Sequence, residues 1–152
     1  MAVRDINANP DLLPNHTLVG VPANTHSDPY DTLQVAQDLV LGATPPVSGI
    51  VGPAFSTDAL ALSWLSSVER LPMVSYLATA TLFSDRTAFP YFFRTIPADE
   101  FMGHAMADLC RAIGVNKAAF LYVDELYGQS GLHEFQLFAG GAVELGVFEG
   151  CV

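Results

Sequence analysis

The sequence has 152 residues, enough for one modest domain or for part of a larger protein, and 51% of them are hydrophobic against 14% charged. This composition is typical of a globular chain with a large core and excludes a disordered or coiled-coil chain. The net charge of −10, with six Lys and Arg, leaves no basic patch, which excludes nucleic acid and anionic membrane surfaces as partners.

The first third of the chain predicts a helix, a strand and a second helix. "AVRDINANP" looks like the tail of a helix, and "TLVGVPA" (17–23) is typical of a strand. A helix follows the candidate N-caps Ser27 and Asp28 and ends at "GATPP". One apolar face of this helix carries Leu33, Ala36 and Val40.

The middle of the chain predicts a buried strand followed by an amphipathic helix. "VSGIV" (47–51) is short and apolar without alternation, as expected of a strand covered on both faces. The helix that starts at Ser56 has an apolar face at the i, i+3, i+4, i+7 spacing, formed by Ala61, Trp64, Leu65 and Val68.

The remaining elements continue the alternation. "LPMVSYLAT", "YFFRTIP", "KAAFLYVD" and "VELGVF" predict strands, and a helix is expected over about 128–139. Another helix begins at Asp99 and ends at Gly114. Its apolar stripe is Met102, Ala105, Met106, Leu109 and Ile113.

Alternating strands and helices predict an α/β fold with a doubly wound parallel sheet. Such sheets bind ligands at the carboxyl ends of their strands, so the loops "NTHSDP", "GPAFST", "YLATAT", "TIPADE" and "DELYGQSG" are the ones to examine. No strand precedes the first helix and no helix closes the last strand, so we expect an incomplete fold that folds poorly alone.

Two of these loops offer groups for an anion. Ser56 stands where a strand and a tight turn lead into a helix, whose free N-terminal amides favour a carboxylate. The competing interpretation is that Ser56 or Thr57 is a simple N-cap. Thr79 could contact a ligand through its hydroxyl, or could belong to an ordinary loop.

Two later residues suit a cation. Asp99 follows a strand at a helix start, where its carboxylate could accept from an ammonium group or cap the helix. Tyr127 follows the next strand, and its ring could cover an ammonium group or pack at a surface.

Catalysis and metal binding find little support. "GPAFST" lacks the G-x-S-x-G elbow of a nucleophile, and no strand is followed by a dinucleotide-binding fingerprint, so neither an enzyme nor a cofactor is predicted. Metal-ligand spacing is missing among His16, His26, His104, His133, Cys110 and Cys151. Asn15 in "NHT" is a glycosylation acceptor if the protein is secreted.

Several stretches together resemble a known family. "DINANPDLLPNHTL", "GIVGPAFST", "LPMVSYLATATLFSDRTAFPYFFRTIPADEF" and "YVDELYGQSG" resemble the extracellular ligand-binding region of class C G-protein-coupled receptors, the metabotropic glutamate receptors and their relatives. These belong to the type I periplasmic-binding-protein superfamily. The resemblance covers nearly all of the chain.

The resemblance implies two lobes, with residues 1–97 in the first and 98–152 beginning the second, which close on an α-amino acid. Ser56 would bind the ligand's carboxylate, and Thr79 its carboxylate and amino groups. Leu77 would contribute its backbone, while Asp99 and Tyr127 would surround the ammonium. Phe55 and Asn24 depart from the residues that the family typically has at these positions.

The resemblance also implies a location and partners. The chain would lie on the extracellular side of the cell membrane, joined to a transmembrane signalling domain, and would form a homodimer through the first lobe. The alternative is a secreted or periplasmic solute-binding protein for amino-acid uptake.

Overall fold

A computed structural model describes residues 2–42 and 46–150; Cys151 lies outside them. The helices are α1 (Ala2–Ala8), α2 (Pro29–Gln37), α3 (Ser56–Glu69), α4 (Asp99–Ala112) and α5 (Leu126–Ala139). The strands are β1 (Ile50–Val51), β2 (Met73–Ser75), β3 (Phe92–Arg94), β4 (Lys117–Val123) and β5 (Glu144–Gly150). A π-helical turn spans Asp38–Gly42 and a 3-10 turn spans Thr81–Ser84.

The strands form two parallel sheets. The first sheet has the order β1-β2-β3, with Ile50 beside Met73 and Met73 beside Phe92. The second sheet pairs β4 with β5 from Lys117 and Glu144 onward. The predicted α/β class with parallel strands is confirmed, and the carboxyl ends of β1, β2 and β3 meet at one edge.

Each sheet has a core on one face. The first core lies between the first sheet and the helices α2 and α3, and Phe83 stacks on Phe92 there with ring centroids 4.2 Å apart. Its other buried members are Ala36, Ala59, Leu62, Met73, Ala78, Ala80 and Phe89. The second core lies between the second sheet, α4 and α5, and its buried members are Ala107, Phe135, Ala139 and Val143.

The helix starts agree closely with the sequence patterns. Asp28 caps α2 by accepting hydrogen bonds from the amides of Tyr30 and Asp31, as predicted. α3 begins at Ser56 and α4 at Asp99, while α5 begins two residues before the expected start.

The strand predicted over residues 17–23 is wrong. These residues run as irregular chain on the surface, and Val19 is 74% exposed. The side-chain amide of Asn7 hydrogen-bonds both backbone groups of Leu18: it donates to the carbonyl and accepts from the N–H, each at 2.8 Å. A strand needs those backbone groups for a neighbouring strand.

Burial on both faces is also wrong for the strand predicted over 47–51. The strand is limited to Ile50–Val51, and its two side chains differ. Ile50 packs against the first core, whereas Val51 points to the opposite face of the sheet and is 84% exposed.

The cores cover the predicted apolar faces of α3 and α4 only in part: Ala61 is buried, Leu65 packs against the first core and Met106 packs against the second. Trp64 and Val68 of α3 are 60% and 76% exposed. The buried face of α3 contains smaller or polar residues, namely Ala59, Leu62, Ser63 and Ser66. In α4 the stripe residues Leu109 and Ile113 are exposed, while Gly103 and Ala107 are buried.

Candidate functional site

The N-terminus of α3 forms the first corner of the site. The N-cap position is Phe55, and no side chain in the described ranges caps the helix. The buried hydroxyl of Ser56 instead accepts a hydrogen bond from the N–H of Ala80 at 3.3 Å. The buried hydroxyl of Thr57 has no hydrogen-bond partner among the described residues. Neither residue acts as the N-cap, so no side chain among the described residues caps the positive end of the helix.

Ser75, the last residue of β2, shapes the loop beside this corner. Its hydroxyl donates to the carbonyl of Pro53 at 2.6 Å and accepts from the amides of Leu77 and Ala78 at 3.3 and 3.0 Å. The side chain of Leu77 is half exposed. Ser75 therefore joins the loops that follow β1 and β2.

Asp99 and Thr79 form the second corner. The N–H of Asp99 donates to the carbonyl of Thr79 at 2.9 Å. Asp99 is 1% exposed, yet neither carboxylate oxygen has a hydrogen-bond partner within residues 2–42 and 46–150. The same holds for the buried hydroxyl of Thr79. Asp99 does not cap α4, since the cap position is Ala98. A buried carboxylate without a donor is costly, so this corner suits an ammonium group.

Arg94 binds the backbone segment that connects the two corners. Its Nη1 donates to the carbonyls of Thr79 and Ala80 at 3.0 and 3.1 Å, and its Nη2 donates to the hydroxyl of Ser84 at 2.6 Å. Burial lowers the pKa of Arg94, and the charge of Asp99 opposes that change. The sequence analysis missed Arg94, although a charge at the end of the apolar strand "YFFRTIP" was a usable signal.

The helix α5 reaches the same loop from the second sheet. Ser130 accepts a hydrogen bond from the N–H of Thr81 at 3.1 Å, and the two hydroxyls lie 3.3 Å apart. Tyr127 precedes Ser130 by three residues, so both side chains share a helix face. Tyr127 is partly exposed and lines a mostly apolar groove of about 350 Å³ with Met102, Met106 and Phe120.

Asp58 is a further buried carboxylate that the sequence analysis did not single out. It lies in the first turn of α3 and accepts from the hydroxyl of Thr25 at 3.5 Å. Burial raises the pKa of the Asp58 carboxyl, the Thr25 hydroxyl opposes the rise, and the charges of Asp28 and Glu125 add to it.

The structure thus brings three sequence-predicted residues, Ser56, Thr79 and Asp99, to one short segment of backbone. Tyr127 stands on a helix that touches the next residue of that segment, Thr81. Leu77 lies in the same loop, and Asn15 is exposed in a turn. Ser130 gave no sequence signal, because a serine within a helix has no local feature that marks a distant partner.

The described ranges contain neither a cluster of metal ligands nor a helix that could cross a membrane. Three or more metal-ligating side chains do not come together anywhere among these residues. Of the helices described, none has the length and apolar character needed to cross a membrane.

Comparison with known proteins gives a family match along most of the chain. Residues 1–141 match the family described as "Receptor family ligand binding region". Human metabotropic glutamate receptor 8 is 30% identical over 154 residues, and human taste receptor type 1 member 3 is 33% identical over 153 residues. The alignments cover 88% and 91% of this chain.

A goldfish protein, G-protein coupled receptor family C group 6 member A, is 33% identical over 90 residues, which is 59% of this chain and 10% of that protein. The chain spans 17% of the glutamate receptor and 18% of the taste receptor. All three relatives are receptors by name, which confirms the expectation that the chain is not an enzyme.

Proposed function

Because the chain belongs to the receptor family ligand binding region, with its α/β fold of the type I periplasmic-binding-protein kind, we propose that it binds an α-amino acid or a similar small zwitterion. The observation that carries the proposal is the buried carboxylate of Asp99 beside the buried hydroxyl of Thr79, neither with a hydrogen-bond partner among the described residues. An ammonium group placed between them would satisfy both.

The ligand's carboxylate would lie at the uncapped N-terminus of α3. The helix dipole and the hydroxyl of Thr57 favour an anion there, and Ser56 stands in the same turn. Leu77 would line this corner through its backbone. Tyr127 would cover the ammonium end from α5, with its ring face toward the positive charge.

The site would close between two lobes, residues 1–97 and 98–152. Support comes from the contact that α5 makes with the first part of the chain, where Ser130 bonds Thr81 and Leu126 packs against the first core. Ligand held by both lobes would bias them toward a closed arrangement, and this hinge motion would be the signal.

The protein as a whole would act as a membrane receptor. In this proposal the chain lies on the extracellular side of the cell membrane, where Asn15 is exposed for glycosylation, and passes closure to a transmembrane signalling domain. It would form a homodimer through the first lobe. The names of the relatives favour this assignment over a solute-binding protein for uptake.

The test is binding of the twenty protein L-α-amino acids, measured by calorimetry on the protein that carries this chain. Ser56→Ala and Asp99→Asn should each weaken binding by about 1.5–3 kcal/mol, because the first removes a hydrogen bond to the ligand's carboxylate and the second removes the negative charge that faces its ammonium group. Ser67→Ala in α3 and Asp108→Asn in α4 are matched controls that should bind normally, since both lie away from the loops that form the site.

Analogues separate the two corners. Propionate lacks the ammonium of alanine and should lose sensitivity to the change at Asp99, while ethylamine lacks the carboxylate and should lose sensitivity to the change at Ser56. Normal affinity in both site variants, or failure of all twenty amino acids to bind the wild-type protein, would overturn the proposal.

A further inference from the structure

Arg94 holds the segment that follows β2 at three points. From the end of β3, its guanidinium group donates to the carbonyls of Thr79 and Ala80 and to the hydroxyl of Ser84. A guanidinium group is planar and presents its donors in a fixed fork, so three acceptors held at once fix the position of the loop backbone.

The same backbone holds the site residues. The carbonyl of Thr79 that accepts from Arg94 also accepts from the N–H of Asp99, and Ala80 donates its N–H to the hydroxyl of Ser56. The carbonyl of Thr79 and the N–H of Ala80 belong to one peptide unit, so the two corners of the site are joined through that unit, and Arg94 bonds its carbonyl and the carbonyl of the next unit. Its positive charge also acts on Asp99, whose carboxylate lacks a donor in the described part of the chain.

We propose that Arg94 is a positioning residue of the ligand site. It sets the distance between the carboxylate corner at Ser56 and the ammonium corner at Thr79 and Asp99 without touching the ligand. This inference rests on the proposed function for its effect on affinity, but its effect on the loop backbone stands independently.

Arg94→Lys separates geometry from charge, because lysine keeps the positive charge but has a flexible stem and no fork. Arg86→Lys is the matched control. Arg86 lies in the same surface groove, bonds the carbonyl of Phe92 and covers the ring of Phe93, and the groove is lined by neither Thr79 nor Ala80.

The experiment measures two quantities in the protein that carries this chain. Hydrogen exchange at the amides of Ala80 and Asp99 should become about tenfold faster in Arg94→Lys, since Arg94 fixes the peptide unit whose N–H is that of Ala80 and whose carbonyl accepts from Asp99. Amino-acid affinity, taken over the same panel of twenty, should fall by about tenfold. Arg86→Lys should change neither quantity.

The outcomes distinguish this inference from the proposed function. If no amino acid binds the wild-type protein, the proposed function fails, and the exchange of Ala80 and Asp99 alone decides the positioning role. Wild-type exchange at both amides in Arg94→Lys overturns that role. Faster exchange throughout the protein, in place of a change confined to the 79–81 segment and the start of α4, overturns it too, because it indicates general destabilisation.

Discussion

Asp58 and Asp99 are both buried in the first turn of a helix, yet their surroundings differ. Asp58 accepts from the hydroxyl of Thr25 and faces the charges of Asp28 and Glu125. Asp99 has the positive Arg94 nearby and lacks a hydrogen-bond donor among the residues described. The surroundings of Asp58 favour its neutral form, whereas Asp99 has a positive neighbour that favours its charged form.

Asp58→Asn should stabilise the protein at pH 7. Burial raises the pKa of Asp58 in the folded state. The contribution of Asp58 to the free energy of unfolding is therefore most favourable below the pKa of this group in the unfolded chain, and it declines as the pH rises through the folded-state pKa. The asparagine variant keeps an oxygen for Thr25 and carries no charge. Thermal unfolding should therefore show a higher Tm for the variant at pH 7.

This advantage should shrink as the pH falls from the raised folded-state pKa of Asp58 toward about 3.9, the ordinary pKa of an aspartate, and should be lost below it, because wild-type Asp58 is then neutral in both states. Asp11→Asn, at an exposed position, is the control and should show no such pH-dependent difference. A variant less stable than wild type at pH 7 would mean that the charged form of Asp58 is favoured by its neighbours.

At the scale of the elements, α4 and α5 approach each other through a small residue. A Cβ atom at Gly103 would lie 2.7 Å from the backbone carbon of Glu134 and 2.9 Å from the amide of Phe135. A larger side chain at position 103 would not fit, which lets the face of α4 with Gly103 and Ala107 pack closely against α5.

Gly103→Ala should destabilise the protein by about 1–3 kcal/mol, because the overpacking cost exceeds the gain in helix propensity. Gly131→Ala in α5 is the matched control, since a Cβ there would meet its nearest atom at an ordinary 3.8 Å. The control should gain about 0.5–1 kcal/mol from helix propensity. Denaturant unfolding measures both values, and equal effects would contradict the close approach.

The sequence predicted the helices well, because caps and apolar spacing are local signals. Asp28, Ser56 and Asp99 all stand where the patterns place helix starts. The buried face of α3 and of α4 was predicted only in part, since periodicity identifies an apolar stripe but not which neighbouring element covers it. The strand expected at 17–23 failed for a similar reason: its pairing depends on a distant partner.

The same distinction holds for the site. Ser56, Thr79 and Asp99 were predicted because each follows a strand, where parallel sheets place ligand groups. The structure joins them through the peptide unit between Thr79 and Ala80, but their contact with a ligand stays a prediction. Arg94 and Ser130 were missed because their roles depend on contacts 14 to 49 residues away along the chain.

At the scale of the whole molecule, the two cores meet through few contacts. Leu126 from α5 packs on the first core, and the hydroxyl of Ser130 accepts a hydrogen bond from the N–H of Thr81. Since Tyr127 lies between them in sequence, the same turn of helix both contacts the first part of the chain and carries a candidate ligand residue. Loosening this contact should affect the site directly.

Ser130→Ala should speed hydrogen exchange of the Thr81 amide by about three- to tenfold, the loss expected for one hydrogen bond. The global Tm should change little, because each core stays intact. Ser67→Ala, which removes a hydroxyl bonded within α3, is the control and should leave Thr81 unchanged. Unaltered exchange at Thr81 in Ser130→Ala would show that its amide is protected by other means.

The register of β2 between β1 and β3 has a consequence for folding. Ser75 turns toward the core and ties together the loops after β1 and β2, whereas its neighbour Val74 turns the other way. A shift of one residue in this pairing would exchange the two and take the hydroxyl out of reach of Pro53. A chain with that error would not hold the loops after β1 and β2 together, so the proposed ligand site would form only where the strands pair correctly.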